Sequence, residues 1–382
     1  MKLFRFFLSF LNCFFPKNRK RVFMCDVPGV GFNLIALFKY LSVNYPSLRI
    51  RYFIKNGEIA KKFRTKYCQY PNIKFTSNVL KGVFYRLRSK VFFCEQVVNP
   101  FMCRATKKEA VISLWHGLGL KKIGYEANKE LYYSGISNTF SKQLCYSHFC
   151  EEIMKRSFLF SNDKTLISQN PRNDEMYLNK GLFFEEFLIK RSDYNKVVLW
   201  LPTFRTTKTV KNSNVDFPLL TSQNLPLLNR CLFDLKQLLI IKLHPAQKEI
   251  PLFRESFSNI IVIETDDFLE RKCEFYNLVG DVDAIITDYS SVAFDFMQLS
   301  RPIGYVVDDF DSYMNNRGFN VDNPFEFMPG PKITTMDQLV SFFRDLTFED
   351  SFREERKRVC NIVNAYSDNN NCKRVVEEAL HD

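Results

Sequence analysis

The sequence predicts an α/β protein made of two Rossmann-like domains, each with a parallel sheet. Short apolar runs alternate with helical patterns, which implies parallel strands with helices on both faces. The alternation occurs in two series, with an amphipathic stretch between them near residue 190. Several of the runs end abruptly on polar residues, and the carboxyl ends of parallel strands are where open sheets bind ligands.

The first stretch, "MKLFRFFLSFLNCFFPKNRKR", has an apolar run from Phe6 to Phe15 and a basic cluster from Lys17 to Arg21. Ten residues cannot span a bilayer, which takes about 20. No small-residue cleavage site follows. Aromatic bulk beside basic residues suits the inner membrane surface, so residues 1–21 are expected to form a membrane-associating segment. A buried N-terminal helix is the alternative.

Val22 to Cys25 reads as a buried strand, Pro28, Gly29 and Gly31 as a loop, and Asn33 to Leu41 as a helix with Leu34, Leu37, Phe38 and Leu41 on one face. Further strands are predicted at Leu48 to Ile54, Ser89 to Gln96 and Ala110 to Trp115. Lys180 to Asp193 is predicted to be mostly helical. The second series has strands at Lys196 to Pro202, Gln237 to Pro245, Asn259 to Glu264, Asp283 to Ser290 and Arg301 to Asp309, with a helix from Val292 to Leu299. A charged, helical tail follows from Glu349. Domains of residues 22–190 and 191–382 follow from this division.

The 382 residues are enough for two domains, and 46% hydrophobic content with 40 phenylalanines implies large aromatic cores. The net charge of +12 favours anionic partners. No Arg/Gly repeat, zinc finger or RNP-like motif is present, so nucleic acid is not an expected partner. The 11 cysteines are scattered without a CxxC pair, as free thiols in a reducing compartment would be.

Four strands end in residues suited to chemistry: "SLWHG" in His116, "LWLPTFR" in Thr203 and Arg205, "IIKLHP" in His244, and "IITDYSS" in Asp288, Ser290 and Ser291. Together they point to one cleft. The unperturbed histidine pKa of about 6.5 suits His116 to proton transfer near neutrality, and Gly117 lets the backbone approach a ligand. Pro245 holds His244 extended. Arg205 can grip a phosphate in bidentate fashion. Ser290 and Ser291 precede a helix, either as plain caps or so that its free N–H groups attract phosphate. Lys121 and Lys122 form the edge of an anion site or a solvated face. "NPRND" reads as a turn into a helix, capped by Asn173 or Asp174, with Arg172 available for an ion pair across the domains. The turn-rich segment Met314 to Pro331 carries Arg317, Asp322 and Glu326 and is suited to lining a site.

There is no GxGxxG and no Walker loop. Asp281 and Asp283 precede a strand instead of ending one. No residue set is assigned to a metal, and no cofactor is expected.

Taken together, "WHGLGLKKIG", "NPRND", "LPTFR", "KLHP", "TDYSSVAFDF", "RPIGYVVDD" and "RGFNVDNPFEFMPGP" resemble the CDP-glycerol glycerophosphotransferase family, the teichoic-acid primases and polymerases. These motifs occur in the family's order over roughly residues 110 to 332. The resemblance implies a GT-B-like fold, two Rossmann-like domains facing across a cleft. The first would lie on the acceptor side, and the second would bind a CDP-alditol. It implies transfer of glycerol phosphate from a CDP-glycerol donor to a hydroxyl of a lipid-linked or polymer acceptor, with release of CMP. It also implies peripheral attachment at the cytoplasmic membrane surface.

By the same resemblance His116 is the general base, and His244 steadies the pyrophosphate. Arg205, Ser290 and Ser291 lie near the phosphates, and Asp288 organises its loop. Gly117, Thr203, Lys121, Arg317 and Glu326 complete the expected substrate-binding set. The family commonly has Thr-Pro after WHG, where this chain has Leu118-Gly119 beside the expected base. Rival readings are a CDP-ribitol transferase, a GT-B nucleotide-sugar glycosyltransferase and a basic polymer-binding protein.

Overall fold

A computed structural model describes residues 2–26, 31–97, 99–130, 135–202, 217–243, 250–348 and 350–381. Expected site residues Thr203, Arg205 and His244 lie outside the described residues, as do Pro28 and Gly29. Contacts divide the chain into two units. One comprises Met1–Leu118, Ile123–Leu178 and Ile362–Asp382; the other comprises Gly119–Lys122 and Asn179–Asn361.

The first unit holds seven parallel strands: β1 (Asn18–Asp26), β2 (Arg49–Ile54), β3 (Ile73–Thr76), β4 (Ser89–Cys94), β5 (Ala110–Ser113), β6 (Lys142–Cys145) and β7 (Thr165–Ile167). Their order in the sheet is β3-β2-β1-β4-β5-β6-β7. Its early helices are α1 (Lys2–Phe14), α2 (Phe32–Asn44), α3 (Gly57–Lys66) and α4 (Val79–Arg88). Phenylalanines fill the spaces between sheet and helices. Phe38 meets Tyr67 edge-on at 4.8 Å, and Phe53 meets Phe101 at 4.6 Å.

The second unit holds β8 (Lys196–Trp200), β9 (Gln237–Lys242), β10 (Ile260–Ile263), β11 (Ala284–Thr287), β12 (Ile303–Val306) and β13 (Lys332–Ile333). Their order is β10-β9-β8-β11-β12-β13, again all parallel. β9 and β11 are buried along their whole length, as expected of strands covered on both faces. Strand order reverses at β1/β4 in one sheet and at β8/β11 in the other, the switch points where such sheets form a crevice.

The expected strands are present; β1 is longer than the expected Val22 to Cys25, and the others have shorter ends. β3, β6, β7 and β13 were not expected from the sequence. The long helix expected over Lys180 to Asp193 is instead the short helix Leu182–Glu186 and a single turn at Arg191–Asp193. Gly181 at φ 81° and Leu188 at φ 55° interrupt it, because left-handed residues break the helical hydrogen-bond ladder. Of the basic cluster from Lys17 to Arg21, all but Lys17 lies within the start of β1. Lys17 turns inward, and its ammonium lies 2.6 Å from Glu109.

The tail helix Asn371–His381 packs in the first unit although it follows the second in sequence. Asp174 caps its start, accepting from the backbone N–H of Asn371 (3.1 Å) and Cys372 (2.8 Å) and from the Asn371 side chain (2.8 Å). Val375, Val376 and Ala379 are fully buried along it. Asp174 thus caps a helix far away in sequence, where a local cap was expected.

Candidate active site

In the first unit, polar residues gather at the carboxyl ends of the strands. β5 runs out through Leu114 into a tight turn. Trp115 adopts φ 58° and Gly117 φ 123°, so the backbone reverses on either side of His116. A tryptophan in the left-handed region costs on the order of 1–3 kcal/mol, and surrounding contacts must hold it there. Asn33 Nδ2 donates to the Trp115 carbonyl at 3.0 Å, and Arg172 Nη1 donates to the His116 carbonyl at 2.9 Å. The Trp115 ring lies edge-on to Phe158 at 4.7 Å and 4.0 Å from the His116 ring. His116 is the one exposed residue of a stretch whose neighbours are buried.

These clamps are themselves fixed. Glu95, just past β4, caps α2 by accepting from the N–H groups of Asn33 (2.7 Å) and Leu34 (3.3 Å). Asn33 Oδ1 accepts from the N–H of Arg172 at 3.2 Å. Tyr146, just past β6, accepts from the N–H of Leu118 at 3.2 Å and bonds the Asn170 side chain. The NPRND motif therefore secures the histidine turn from within its own unit.

In the second unit, three neighbouring strands lead toward the other motifs. β8, β9 and β11 are consecutive in the sheet, so the segments leading to Thr203 and Arg205, to His244 and into Asp288 leave one edge side by side. Asp288 and Tyr289 are buried, while Ser290 and Ser291 are half-buried. The helix that follows is Val292–Met297, and the Ser291 hydroxyl makes no capping bond to it. The serine carbonyls close the first turn instead, Ser290 to Ala293 at 3.2 Å and Ser291 to Phe294 at 3.1 Å. Side-chain capping at Ser291 is thus replaced by backbone capping.

Gly119–Lys122 belongs to this unit and is held by two of its motifs. A Cβ on Gly119 would lie 2.9 Å from the Tyr289 carbonyl and 3.1 Å from the Ser291 nitrogen. Lys121 forms an antiparallel bridge with Phe319, and Lys122 donates from its N–H to the Gly318 carbonyl at 3.1 Å. Asn320 donates from its backbone to Leu120 at 2.7 Å and from Nδ2 to the Lys121 carbonyl at 2.6 Å. Phe319 packs edge-on to Tyr289 at 5.2 Å and stacks on Phe310 at 5.6 Å. Half-buried Lys121, Gly119, the DYSS turn and the RGFN segment thus form one cluster.

Arg317 and Glu326 lie further out, both exposed. Arg317 ends the helix Phe310–Asn316, and Glu326 accepts from Asn323 Nδ2 at 2.9 Å in a surface turn.

At the end of β9, two residues before His244, Lys242 is 7% exposed. Its ammonium reaches the Thr265 hydroxyl at 3.0 Å and lies 4.9 Å from the centre of the Phe275 ring. Burial lowers this lysine to about 8, against the pull of Asp267 and Glu264.

Sequence reasoning missed Asn33, Glu95, Tyr146, Asn320 and Lys242. Glu95 and Lys242 carried a signal, a charged residue at the end of an apolar run. Asn33, Tyr146 and Asn320 carried none, because their roles depend on contacts far along the chain.

The fold is that of known proteins. A solved structure of the wall teichoic acid polymerase TagF superposes with a TM-score of 0.76 at 17% identity, covering 99% of this chain and 92% of that one. A teichoic acid poly(ribitol-phosphate) polymerase from Bacillus spizizenii is 26% identical over 71% of this chain and 44% of its own length. This chain thus spans under half of that polymerase. A teichoic acid glycerol-phosphate primase from Bacillus subtilis is 26% identical over 77% of this chain and 75% of its own length. The sequence profile of one family matches residues 7–381, nearly the whole chain, and by that match the protein belongs to the CDP-glycerol:poly(glycerophosphate) glycerophosphotransferase family.

Proposed function

We propose that the chain transfers glycerol phosphate from CDP-glycerol to a hydroxyl of a lipid-linked or polymer acceptor. CMP is released, and the product is a teichoic-acid-like wall or capsule polymer. The work takes place at the cytoplasmic face of the membrane, to which the protein attaches peripherally. The observation that carries this reading is the His116 turn, an exposed imidazole on a backbone clamped at both neighbouring carbonyls, in a chain of this family.

In this reading the acceptor oxygen attacks the phosphorus that bears glycerol, His116 takes its proton, and CMP leaves. Gly117 clears room beside the base. Arg205, His244, Thr203, Ser290, Ser291 and Lys121 stabilise charge on the pyrophosphate, Asp288 orders its turn, and Arg317 and Glu326 border the donor. Positioning and electrostatic stabilisation supply most of the rate. A ribitol phosphate donor is the second reading, favoured by the ribitol-phosphate polymerase among the relatives.

The test is CMP release from CDP-glycerol with membrane lipid as acceptor. His116→Ala should lower the rate about 10²- to 10⁴-fold. An unchanged rate in that variant removes His116 from the mechanism. Release from CDP-ribitol alone moves the reading to the second donor.

A further inference from the structure

Helix α1 is anchored on one side and bare on the other. Leu8 is buried against Leu87 and Cys103, with Leu11, Phe15 and Val83 packed around them. Asn12 Nδ2 donates to Glu109 at 2.6 Å and to the Arg104 carbonyl at 3.1 Å, and the Ser9 hydroxyl accepts from the Arg104 N–H at 3.0 Å. With that side fixed, Phe4, Phe6, Phe7, Phe10 and Phe14 remain between 42% and 74% exposed.

Helix α4 adjoins α1 through Val83 and Leu87. One helical position round from these, Leu80 and Phe84 are exposed as well. Neither helix contains an acidic residue. Their charges, and those of the neighbouring Arg104, Lys107 and Lys108, are all positive. Beside α1 lies a cavity of about 570 Å³ lined by Arg5, Phe6, Ser9, Arg104, Asn138 and Thr139. The Nε–H of Arg5 is buried and has no hydrogen-bond partner among the described residues.

Apolar side chains on two adjacent helices whose own charges are all basic match an anionic lipid surface better than a protein partner. We propose that α1 and α4 together form a bilayer-docking face, and that the cavity between Arg5 and Arg104 seats the phosphate of an anionic phospholipid. The phenylalanines enter the acyl boundary while the two guanidinium groups hold the headgroup. Among the described residues no helix is long and apolar enough to cross a membrane, so the contact is interfacial. This deepens the membrane placement proposed above by naming its surface and its lipid class.

Flotation with phosphatidylcholine vesicles, with and without phosphatidylglycerol, tests the proposal without donor or acceptor, so its failure and that of the transferase reading are separable. Wild type should float with phosphatidylglycerol vesicles and lose binding in high salt. Leu80→Ser/Phe84→Ser should weaken partitioning about tenfold, and Phe6→Ser/Phe10→Ser should do at least as much. All four positions are exposed, and unchanged melting temperatures confirm that the variants fold. Arg5→Gln/Arg104→Gln should erase the preference for phosphatidylglycerol while keeping the residual binding to phosphatidylcholine. Wild type that floats with neither vesicle overturns the proposal. An α4 variant that floats like wild type removes α4 from the face. A retained lipid preference in the arginine variant removes the headgroup site. A vesicle-free dimer dissolved by the α4 variant would instead assign the face to a second copy of the chain.

Discussion

Arg172 donates to the carbonyl oxygen of His116, so a motif 56 positions downstream fixes the backbone on which the proposed base stands. Its own N–H is held by Asn33, which also holds the Trp115 carbonyl. The histidine is therefore placed by its peptide groups, leaving the ring outward.

Arg172→Ala should free that carbonyl and let Trp115 relax from its left-handed conformation. Stability should fall by about 1–3 kcal/mol, the usual cost of losing a buried charged hydrogen bond. CMP release should fall about 10- to 100-fold, mainly in kcat, since the base is misplaced and the donor contacts are not. Steady-state kinetics beside thermal melting check both.

Gly119→Ala tests the close approach to the DYSS turn. The added methyl would meet backbone atoms of Tyr289 and Ser291, which cannot swing aside as a side-chain end could. The expected result is a rise in KM for CDP-glycerol of about tenfold with the chain still folded. Unchanged kinetics would show that the turn shifts freely.

Glu109 ties α1 to the first unit and should make it acid-sensitive. Burial would raise its carboxyl, but Arg86 at 2.5 Å and Lys17 at 2.6 Å outweigh that and hold it at about 2. Burial and the Arg86 cation lower the Lys17 ammonium, so the cost of sharing one carboxylate falls on the lysine. A depressed carboxyl stabilises fully above its unfolded pKa and loses that stability as pH falls toward the folded value. Between pH 4.5 and about 2 the loss should be on the order of 3 kcal/mol. Glu109→Gln should flatten that slope in acid denaturation curves.

Lys242 should give the opposite profile. Its folded pKa of about 8 lies below the ordinary 10.5, so the unfolded chain takes up the proton first as pH falls. Stability should rise by on the order of 3 kcal/mol from pH 8 to 10.5. Lys242→Met should remove that rise relative to wild type and stabilise the chain at pH 7, as removing a charge that burial disfavours does. Denaturant midpoints at pH 7 and pH 10 check it.

The central strands of both sheets were legible because each is a run such as "QLLIIK" or "AIIT" that only a doubly covered strand accommodates. β3, β6, β7 and β13 were hidden because they are short and mix polar with apolar residues, as in "IKFT" and "KQLC", so no continuous apolar run marks them. Strand ends announced His116 and the DYSS turn. Nothing local announced that Lys17 would pair inward with Glu109, or that Arg172 would serve the histidine turn. Each depends on a partner brought near only by the finished sheet. α1 was legible as an aromatic, basic segment, but the exposed stripe of α4 beside it was not.

The cap that Asp174 places on the tail helix sets an order of events during synthesis. Its partner Asn371 emerges 197 positions later. At a ribosomal rate of about 5–20 residues per second, the nascent first sheet waits on the order of 10–40 s for its last cover. Until then the surface that Val375, Val376 and Ala379 will occupy stays wet and adhesive. A ribosome stalled within the second unit would therefore release an aggregation-prone fragment, and a rearranged gene that encodes the tail helix directly after Leu178 should fold its first unit without that delay.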